Sequence, residues 1–129
     1  MVIDTSAILA ILLGEPETEV YVKYIRSNTP WQLSAVSHVE CSMVMATRKG
    51  DPGLRELDLF IVRALIAIVP FDADQAVFAR HAFMTYGKGR HPAKLNFGDC
   101  CAYALAKALN EPLLFKGGDF ALTDITAAL

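Results

Sequence analysis

The sequence predicts an α/β protein whose central sheet is mostly parallel and covered by helices on both faces. Short apolar segments typical of buried strands alternate with longer segments of helical periodicity along the whole chain. Strands separated by helices pair in parallel, and parallel sheets are buried on both faces. The chain of 129 residues contains no repeat, low-complexity stretch or linker. We therefore expect residues 1–129 to form a single domain.

The composition points to a covered apolar surface and excludes a broadly basic one. Hydrophobic residues make up 53% of the chain, and the mean hydropathy is +0.34. This is high for a small soluble monomer, so we expect an oligomer or a bound partner. The net charge of −2 gives no general attraction to nucleic acid, so any nucleic-acid site must be local.

Cysteine usage and hydropathy indicate a soluble cytoplasmic protein without a membrane segment. The three cysteines, an odd number without scaffold spacing, fit a reducing compartment. The apolar run Ile8–Leu13 is too short to cross a membrane and follows no basic segment.

The first strand ends at an acid. Met1–Ile3 is an apolar run followed directly by Asp4, and a helix is predicted to begin at Thr5 or Ser6, whose hydroxyl suits an N-cap. Gly14 suits the end of this helix. Asp4 therefore lies at the carboxyl end of a strand, where open α/β sheets place their ligand sites.

The next elements alternate between helix and strand. Residues 17–27 form a helix and residues 31–36 a strand, after which Ser37 caps a helix to about Arg48, ended by residues 50–53. A further helix covers residues 54–65 and is apolar on more than one side, so it is either centrally buried or shared with a partner. The predicted core stripes of the helices are Val20, Tyr21, Tyr24 and Ile25, then Leu54, Leu57, Ile61, Ala64 and Leu65.

The second half of the chain repeats this alternation. Residues 66–69 form a strand, and Asp72 or Asp74 opens a helix. Residues 86–92 form a loop, residues 96–109 a helix and residues 112–115 a strand, with an edge strand or helix in the tail 123–129. The helix after residue 72 is predicted to bury Ala76, Val77, Ala79, Ala82 and Phe83.

Four of the fourteen acids do not belong to a solvated surface. Asp4 ends a strand, Glu40 lies in an apolar helix, Asp99 begins a helix, and Asp119 follows a buried strand and two glycines. Each alone has an ordinary explanation as a helix cap, a dipole partner or a solvated side chain. Together they would repel one another, and a divalent cation such as Mg²⁺ or Mn²⁺ relieves that repulsion through hard oxygen ligands. Such a site suits phosphodiester cleavage.

These segments together resemble the PIN-domain ribonucleases, with the closest likeness to the VapC-type toxins of prokaryotic toxin–antitoxin systems. The resemblance spans the whole chain and is carried by residues 1–7, 37–40, 95–106, 113–120 and 123–125. It implies a PIN-like three-layer α/β/α sandwich and a Mg²⁺- or Mn²⁺-dependent endoribonuclease acting on tRNA or rRNA.

The resemblance also assigns roles to individual residues. It implies catalytic roles for Asp4, Glu40, Asp99 and Asp119, with Asp4 and Asp99 as metal ligands and Glu40 and Asp119 as additional candidates. Thr5 or Ser6 would hold the first acid or a water. The family often has a polar or acidic residue just before its last acid, where this chain has Gly118, so any help of that neighbour in metal binding is missing here. Asp124 is interpreted as structural. Family members commonly dimerise and are silenced by a VapB-type antitoxin.

A basic loop precedes the helix that carries Asp99. Its side chains are candidates for RNA phosphate contacts, although a charged loop can also be merely solvated. The candidates are Lys88, Arg90, His91 and Lys94, with Lys116 as a further one.

Zinc is not expected. His38, Cys41, Cys100 and Cys101 have irregular spacing, and small buried thiols around the acidic site are the better interpretation.

Three other classes of protein are alternatives to a PIN-domain ribonuclease. A haloacid-dehalogenase-type phosphatase needs a second acid where this chain has Ser6, and a response-regulator receiver needs paired acids early in the chain. A catalytically silent PIN-like module that only binds a partner is the remaining alternative. Stabilisation by Mn²⁺ distinguishes the silent module from a metal-dependent enzyme.

Overall fold

The computed structural model describes all 129 residues and contains a four-stranded sheet in which every strand pairing is parallel. The strand order is β3-β2-β1-β4, so β1 lies at the centre beside β2 and β4. This confirms the predicted α/β/α architecture. The strands are β1 (Val2–Ile3), β2 (Trp31–Ser34), β3 (Ile66–Val69) and β4 (Leu113–Leu114), and the helices are α1 (Thr5–Leu12), α2 (Thr18–Ser27), α3 (Ala35–Arg63), α4 (Ala73–Tyr86) and α5 (Phe97–Leu109), followed by a short 3-10 helix at Phe120–Leu122.

Two hydrophobic cores lie on opposite faces of this sheet. Successive strand residues point to opposite faces, so Val2 joins one core and Ile3 the other, and Leu113 and Leu114 divide in the same way. Helices α1, α2 and α3 contribute to the core that contains Ile3. Helices α4 and α5 contribute to the core that contains Val2. The sheet is therefore the middle layer of three.

The parallel arrangement brings the carboxyl ends of the strands to one edge of the sheet. The backbone N–H of Asp4 donates to the carbonyl of Leu114 at 2.9 Å, which aligns the ends of β1 and β4. Helix α3 begins directly after β2 at the same edge. Residues that follow β1, β2 and β4 in the sequence are consequently neighbours in space.

Helix α3 differs from the prediction at both its start and its middle. Strand β2 ends at Ser34, and Ser34 rather than Ser37 caps the helix, because its side chain accepts from the N–H of Val36 at 3.3 Å. The predicted break near residue 50 is a kink between two helical halves. Gly50 adopts φ 62° and ψ −150°, a conformation that favours glycine, and Pro52 lies at the start of the second half, where a missing N–H is tolerated.

Several predicted core positions are exposed. Val20, Leu65, Val77 and Phe83 are exposed, and so is Ala76, whereas Tyr21, Ile25, Leu57, Ile61 and Ala82 are buried as predicted. The helices form outer layers and bury only the narrow stripe that touches the sheet. Apolar residues one position off that stripe therefore remain at the surface.

The C-terminal tail pairs with the edge of the sheet. Ala127 forms a single parallel bridge with Leu113, so the tail does add an edge pairing beside β4. None of the helices combines the length and the apolar character that a membrane span requires.

Candidate active site

Asp4 lies at the centre of the sheet edge and is 4% exposed. It is the N-cap of α1, so Thr5 and Ser6 are the first helical residues and not the cap as predicted. Its Oδ2 accepts from the backbone N–H of Ser6 at 2.9 Å and from the Ser6 hydroxyl at 2.6 Å. Burial raises the pKa of Asp4, the Ser6 hydrogen bonds oppose the rise, and the charge of Glu40 adds to it.

Ser6 connects Asp4 to the segment after β4. The backbone N–H of Lys116 donates to the Ser6 Oγ at 3.0 Å, and the same hydroxyl donates to Asp4. The orientation of the Asp4 carboxylate therefore depends on the chain more than a hundred residues further along. This is a structural basis for the supporting role predicted for Ser6.

Glu40 faces the site from the first half of α3. The hydroxyl of Thr5 donates to its Oε1 at 3.2 Å. Burial raises the pKa of Glu40, the hydrogen bond from Thr5 lowers it, and the charge of Asp99 raises it further. Gly98 provides the space for this carboxylate, because a Cβ at residue 98 would lie 2.1 Å from the Glu40 Oε2.

Asp99 is fixed by a capping box at the start of α5. The Asn96 side chain accepts from the N–H of Asp99, and the Asp99 Oδ2 accepts from the N–H of Asn96, both at 2.9 Å. Burial raises the pKa of Asp99 to about 6, the hydrogen bond from Asn96 opposes this, and the charges of Asp4 and Asp119 contribute to the rise.

Asp119 and Asp124 have different environments. Asp119 is exposed and precedes the short 3-10 helix, but its side chain makes no capping hydrogen bond, so the ordinary explanation as a cap does not apply. The charge of Asp119 contributes to the raised pKa of Asp99. Asp124 accepts from the Tyr103 hydroxyl and the Lys107 Nζ, both at 2.9 Å, in agreement with its interpretation as a structural residue.

Each of the four predicted acids is thus near enough to another for its charge to act on it, and none of them has a basic partner. The ion pairs of the protein join other residues, namely Met1 with Glu111, Lys49 with Glu56, Lys107 with Asp124, and Lys116 with Glu15 and Glu17. Carboxylate oxygens are the ligands that hard divalent cations prefer. No three side chains are arranged to enclose an ion, but Mg²⁺ is commonly held by one or two carboxylates and several waters. The donor set therefore fits such an ion.

The predicted RNA-contacting residues fall into two groups. Lys88, Arg90 and Lys94 are exposed on a loop closed by a backbone bridge between Gly87 and Leu95, and the Arg90 guanidinium lies 5.3 Å from the centroid of the Phe83 ring. On the same loop the half-buried His91 packs against Tyr86 with ring centroids 5.2 Å apart. Lys116 lies outside this loop, beside Ser6, and its Nζ is paired with Glu15 and with Glu17.

The cysteines pack in the cores. Cys41, Cys100 and Cys101 are free and buried. Burial raises the pKa of Cys41 to about 12 and the pKa values of Cys100 and Cys101 to about 11. The thiols are therefore held neutral near pH 7, as expected for small apolar side chains.

Two residues of the site have roles that the sequence argument did not assign. Asn96 holds the Asp99 carboxylate, and Gly98 leaves room for Glu40. The spacing Asn-x-x-Asp before an apolar run is a recognisable capping-box pattern and could have identified Asn96. The contact between Gly98 and Glu40 joins residues on two helices and has no signal in one sequence.

Comparison with known proteins identifies the family of this chain. The PIN domain family model matches residues 1–125. The chain is 52% identical over 127 residues to "Ribonuclease VapC" of Mycolicibacterium smegmatis, with 98% of each chain covered. The chain therefore belongs to the PIN-domain family and, within it, to the VapC-type ribonuclease toxins.

Solved structures share the fold at low sequence identity. Mycobacterium tuberculosis VapC20, described as a Sarcin-Ricin loop cleaving toxin, superposes with a TM-score of 0.79 at 16% identity, covering 97% of this chain and 95% of that one. VapBC2 from Rickettsia felis, bound to a DNA fragment from its promoter, gives 0.77 at 13% identity, covering 98% and 95%.

Proposed function

We propose that this protein is a Mg²⁺- or Mn²⁺-dependent endoribonuclease that hydrolyses phosphodiester bonds. The observation that carries the proposal is the cluster of Asp4, Glu40 and Asp99, whose pKa values are all raised and which have no lysine or arginine partner. A cluster of acids that is partly compensated by hydrogen bonds but has no cationic side chain beside it is typical of a site that functions with an added cation.

We expect Asp4 and Asp99 to hold the ion, with Glu40 and Asp119 as further ligands. Ser6 and Asn96 each hold an oxygen of one carboxylate by hydrogen bonds, which fixes the orientation of these two acids. Thr5 orients Glu40 in the same way. When bound, a divalent cation neutralises charge on the scissile phosphate and acidifies water for attack. Ser6, Thr5 and Asn96 supply the positioning of the acids.

The basic loop would bind the phosphate groups of the RNA beside the acids. The exposed Lys88, Arg90 and Lys94 lie on the segment that leads into α5, the helix that carries Asp99. His91 would assist from the same loop, while Lys116 would have to exchange its glutamate partners for phosphate. VapC20 is described as a Sarcin-Ricin loop cleaving toxin, which supports RNA as the substrate, and we propose tRNA or rRNA as its class.

We further propose that the protein is the toxin of a VapBC-type pair, that a VapB-type antitoxin binds it, and that it forms a homodimer in the cytoplasm. Exposed apolar side chains on α3, β3 and α4 support a covered surface. They include Leu59, Val62, Ile68 and Val77. An apolar cleft of about 540 Å³ lies between α2 and the second half of α3, and its lining, which includes Val22, Ile25, Leu59 and Phe60, supports a hydrophobic contact with the antitoxin. The free cysteines support a reducing compartment.

The decisive experiment is cleavage of total tRNA by purified protein with Mg²⁺, Mn²⁺ or EDTA. Wild type should cleave with either metal and not with EDTA. Asp99→Asn should abolish cleavage, whereas Asp58→Asn, a change on the exposed face of α3, should retain it. Equal cleavage by wild type and Asp99→Asn would contradict the proposal.

A second candidate function is that of a catalytically silent binding module. It is favoured by the finding that no three His, Cys, Asp or Glu side chains are arranged to hold a metal ion. Thermal unfolding with and without Mn²⁺ separates the two. An enzyme of the proposed kind should gain stability with Mn²⁺ and lose that gain in Asp4→Asn, because binding to the folded state alone raises Tm. No cleavage together with no effect of Mn²⁺ would support the silent module.

The contribution of the basic loop is tested by Arg90→Ala. This variant should cleave tRNA more slowly and show a weaker dependence on salt, because one phosphate contact is lost. It should unfold like wild type, since Arg90 is exposed. Arg55→Ala, which removes an exposed arginine from the second half of α3, is the control. Identical cleavage across a salt series would count against the loop.

A further inference from the structure

Phe97 is an aromatic residue in an unusual place. Its side chain is 74% exposed, compared with 37% for Phe78 and 42% for Phe83, the other phenylalanines among the exposed large side chains. It is the first residue of α5, between the capping residue Asn96 and Gly98. Such exposure leaves most of a large apolar ring in water.

The start of α5 does not need this ring. The capping box between Asn96 and Asp99 already satisfies two of the N–H groups there and caps the helix without the ring. The apolar residues before and after the first turn, Leu95 and Cys100, are buried in one hydrophobic core. Phe97 takes part in none of the aromatic pairs of the protein. Its ring therefore has no assigned structural partner.

The position of Phe97 is nevertheless fixed, and it borders the acids. The next residue, Gly98, lies directly against the Glu40 carboxylate. The residue after that is Asp99, held by two hydrogen bonds. On α3 the exposed apolar residues Val39 and Met43 lie one position before and three positions after Glu40. An exposed aromatic ring and two exposed apolar side chains therefore lie within three residues of Asp99 or Glu40 in the sequence.

We infer that Phe97 is a substrate-binding residue on which an unpaired nucleobase beside the cleaved bond stacks. Proteins that recognise single-stranded RNA hold unstacked bases on aromatic side chains, and every base offers a suitable face. An acidic site repels the phosphate backbone, and stacking supplies affinity that needs no positive charge. The inference rests on the proposed ribonuclease function and adds the means by which the RNA is positioned.

The test is the affinity of a short fluorescein-labelled single-stranded RNA of mixed sequence in an Asp99→Asn background, which prevents cleavage. Phe97→Ala should weaken binding roughly 5- to 100-fold, the range expected for the loss of one stacked base. Phe97→Trp should restore it. Phe78→Ala, which removes an exposed ring from α4, should leave it unchanged.

Two further readouts separate stacking from other roles. The slope of log affinity against log salt should be the same with and without Phe97, since stacking neutralises no phosphate. Inorganic polyphosphate, which has no bases, should bind Phe97→Ala and its parent equally. A reduced slope, or an equal loss for RNA and polyphosphate, would overturn the inference.

Other outcomes distinguish the inference from the proposed function. Tight RNA binding and full tRNA cleavage by Phe97→Ala would leave the ribonuclease intact and refute the role of Phe97. Conversion of a dimer into a monomer by Phe97→Ala in sedimentation would assign the ring to a contact between copies and also refute it. Failure of the parent to bind the RNA would refute the role of Phe97, whereas failure of wild type to cleave tRNA would refute the ribonuclease function.

Discussion

Asp99 both stabilises and destabilises the folded protein, because its hydrogen bonds and its charge have opposite effects. Its backbone and side chain complete a capping box that stabilises α5. Its carboxylate is half-buried near Asp4 and Asp119, and its pKa is raised to about 6. In the absence of a cation the charged form is therefore unfavourable in the folded state. The residue stabilises the helix with its hydrogen bonds and opposes folding with its charge.

Replacing Asp99 with Asn should stabilise the metal-free protein at neutral pH. The raised pKa means that the folded protein holds the Asp99 proton more tightly than the unfolded chain, so wild type loses stability as the pH rises from 3.8 to about 6. The amide keeps an oxygen for the Asn96 N–H and carries no charge. We expect a gain of about 1 kcal/mol at pH 7, after allowance for solvent screening, and little gain at pH 3.5. Urea unfolding in EDTA measures it; an equal effect at both pH values would contradict the prediction.

Gly98 should be required for activity and not for stability. A methyl group at this position would overlap the Glu40 carboxylate, whose flexible end can swing away. Gly98→Ala should therefore reduce cleavage about tenfold or more, as expected for a displaced active-site group, while the free energy of unfolding stays the same or rises by about 0.5–1 kcal/mol because alanine favours helix. Gly118→Ala, where nothing lies within 4 Å, is the control for both measurements. Full activity of Gly98→Ala would show that the position of Glu40 is unimportant.

At the scale of an element, the kink in α3 sets how the two halves of the longest helix pack. The first half carries Glu40 to the site, and the second half contributes Leu57 and Ile61 to the core beneath α1 and α2. Gly50 permits the change of direction through its positive φ. Gly53 permits the two halves to approach, because a Cβ there would lie 2.5 Å from the backbone oxygen of Met45.

Gly53→Ala should therefore destabilise the protein by about 2 kcal/mol. The added methyl group meets backbone, which cannot move without shifting one half of α3, and overpacking of this kind costs about 1–3 kcal/mol. Urea unfolding compared with Gly118→Ala measures the effect. A loss of less than 0.5 kcal/mol would mean that the two halves separate without cost.

At the scale of the molecule, the parallel sheet places residues from distant parts of the chain at one edge. Asp4 follows β1, Glu40 lies on the helix after β2, and Lys116 after β4 binds Ser6 beside Asp4. The two cores that hold this sheet leave a large apolar surface on the outer helices. The outer surface is therefore the part of the molecule that offers apolar area to a partner.

Purified protein should accordingly sediment as a species of about twice the chain mass of 14.1 kDa. Burial of exposed apolar side chains between two copies is the driving force, so the dimer should persist at high salt. Sedimentation equilibrium over a range of protein concentrations measures this. A species of one chain at every concentration would leave the apolar surface to the antitoxin alone.

The sequence by itself determined the α/β class, the order of the elements and the identity of the candidate acids. These features depend on local patterns, since an apolar run followed by an acid or a cap is readable along the chain. It also indicated that Asp124 is structural, which its bonds to Tyr103 and Lys107 bear out. Helix faces were less predictable: Val20, Leu65, Val77 and Phe83 have suitable periodicity but are exposed.

Only the tertiary structure decided which groups face one another. The link from Lys116 through Ser6 to Asp4 joins residues more than a hundred positions apart, and the fit of Glu40 against Gly98 joins two helices. The kink of α3 in place of a break, and the pKa of about 6 for Asp99, likewise follow from packing and from the charges that packing brings together. Such contacts depend on distances between elements, which local sequence patterns do not encode.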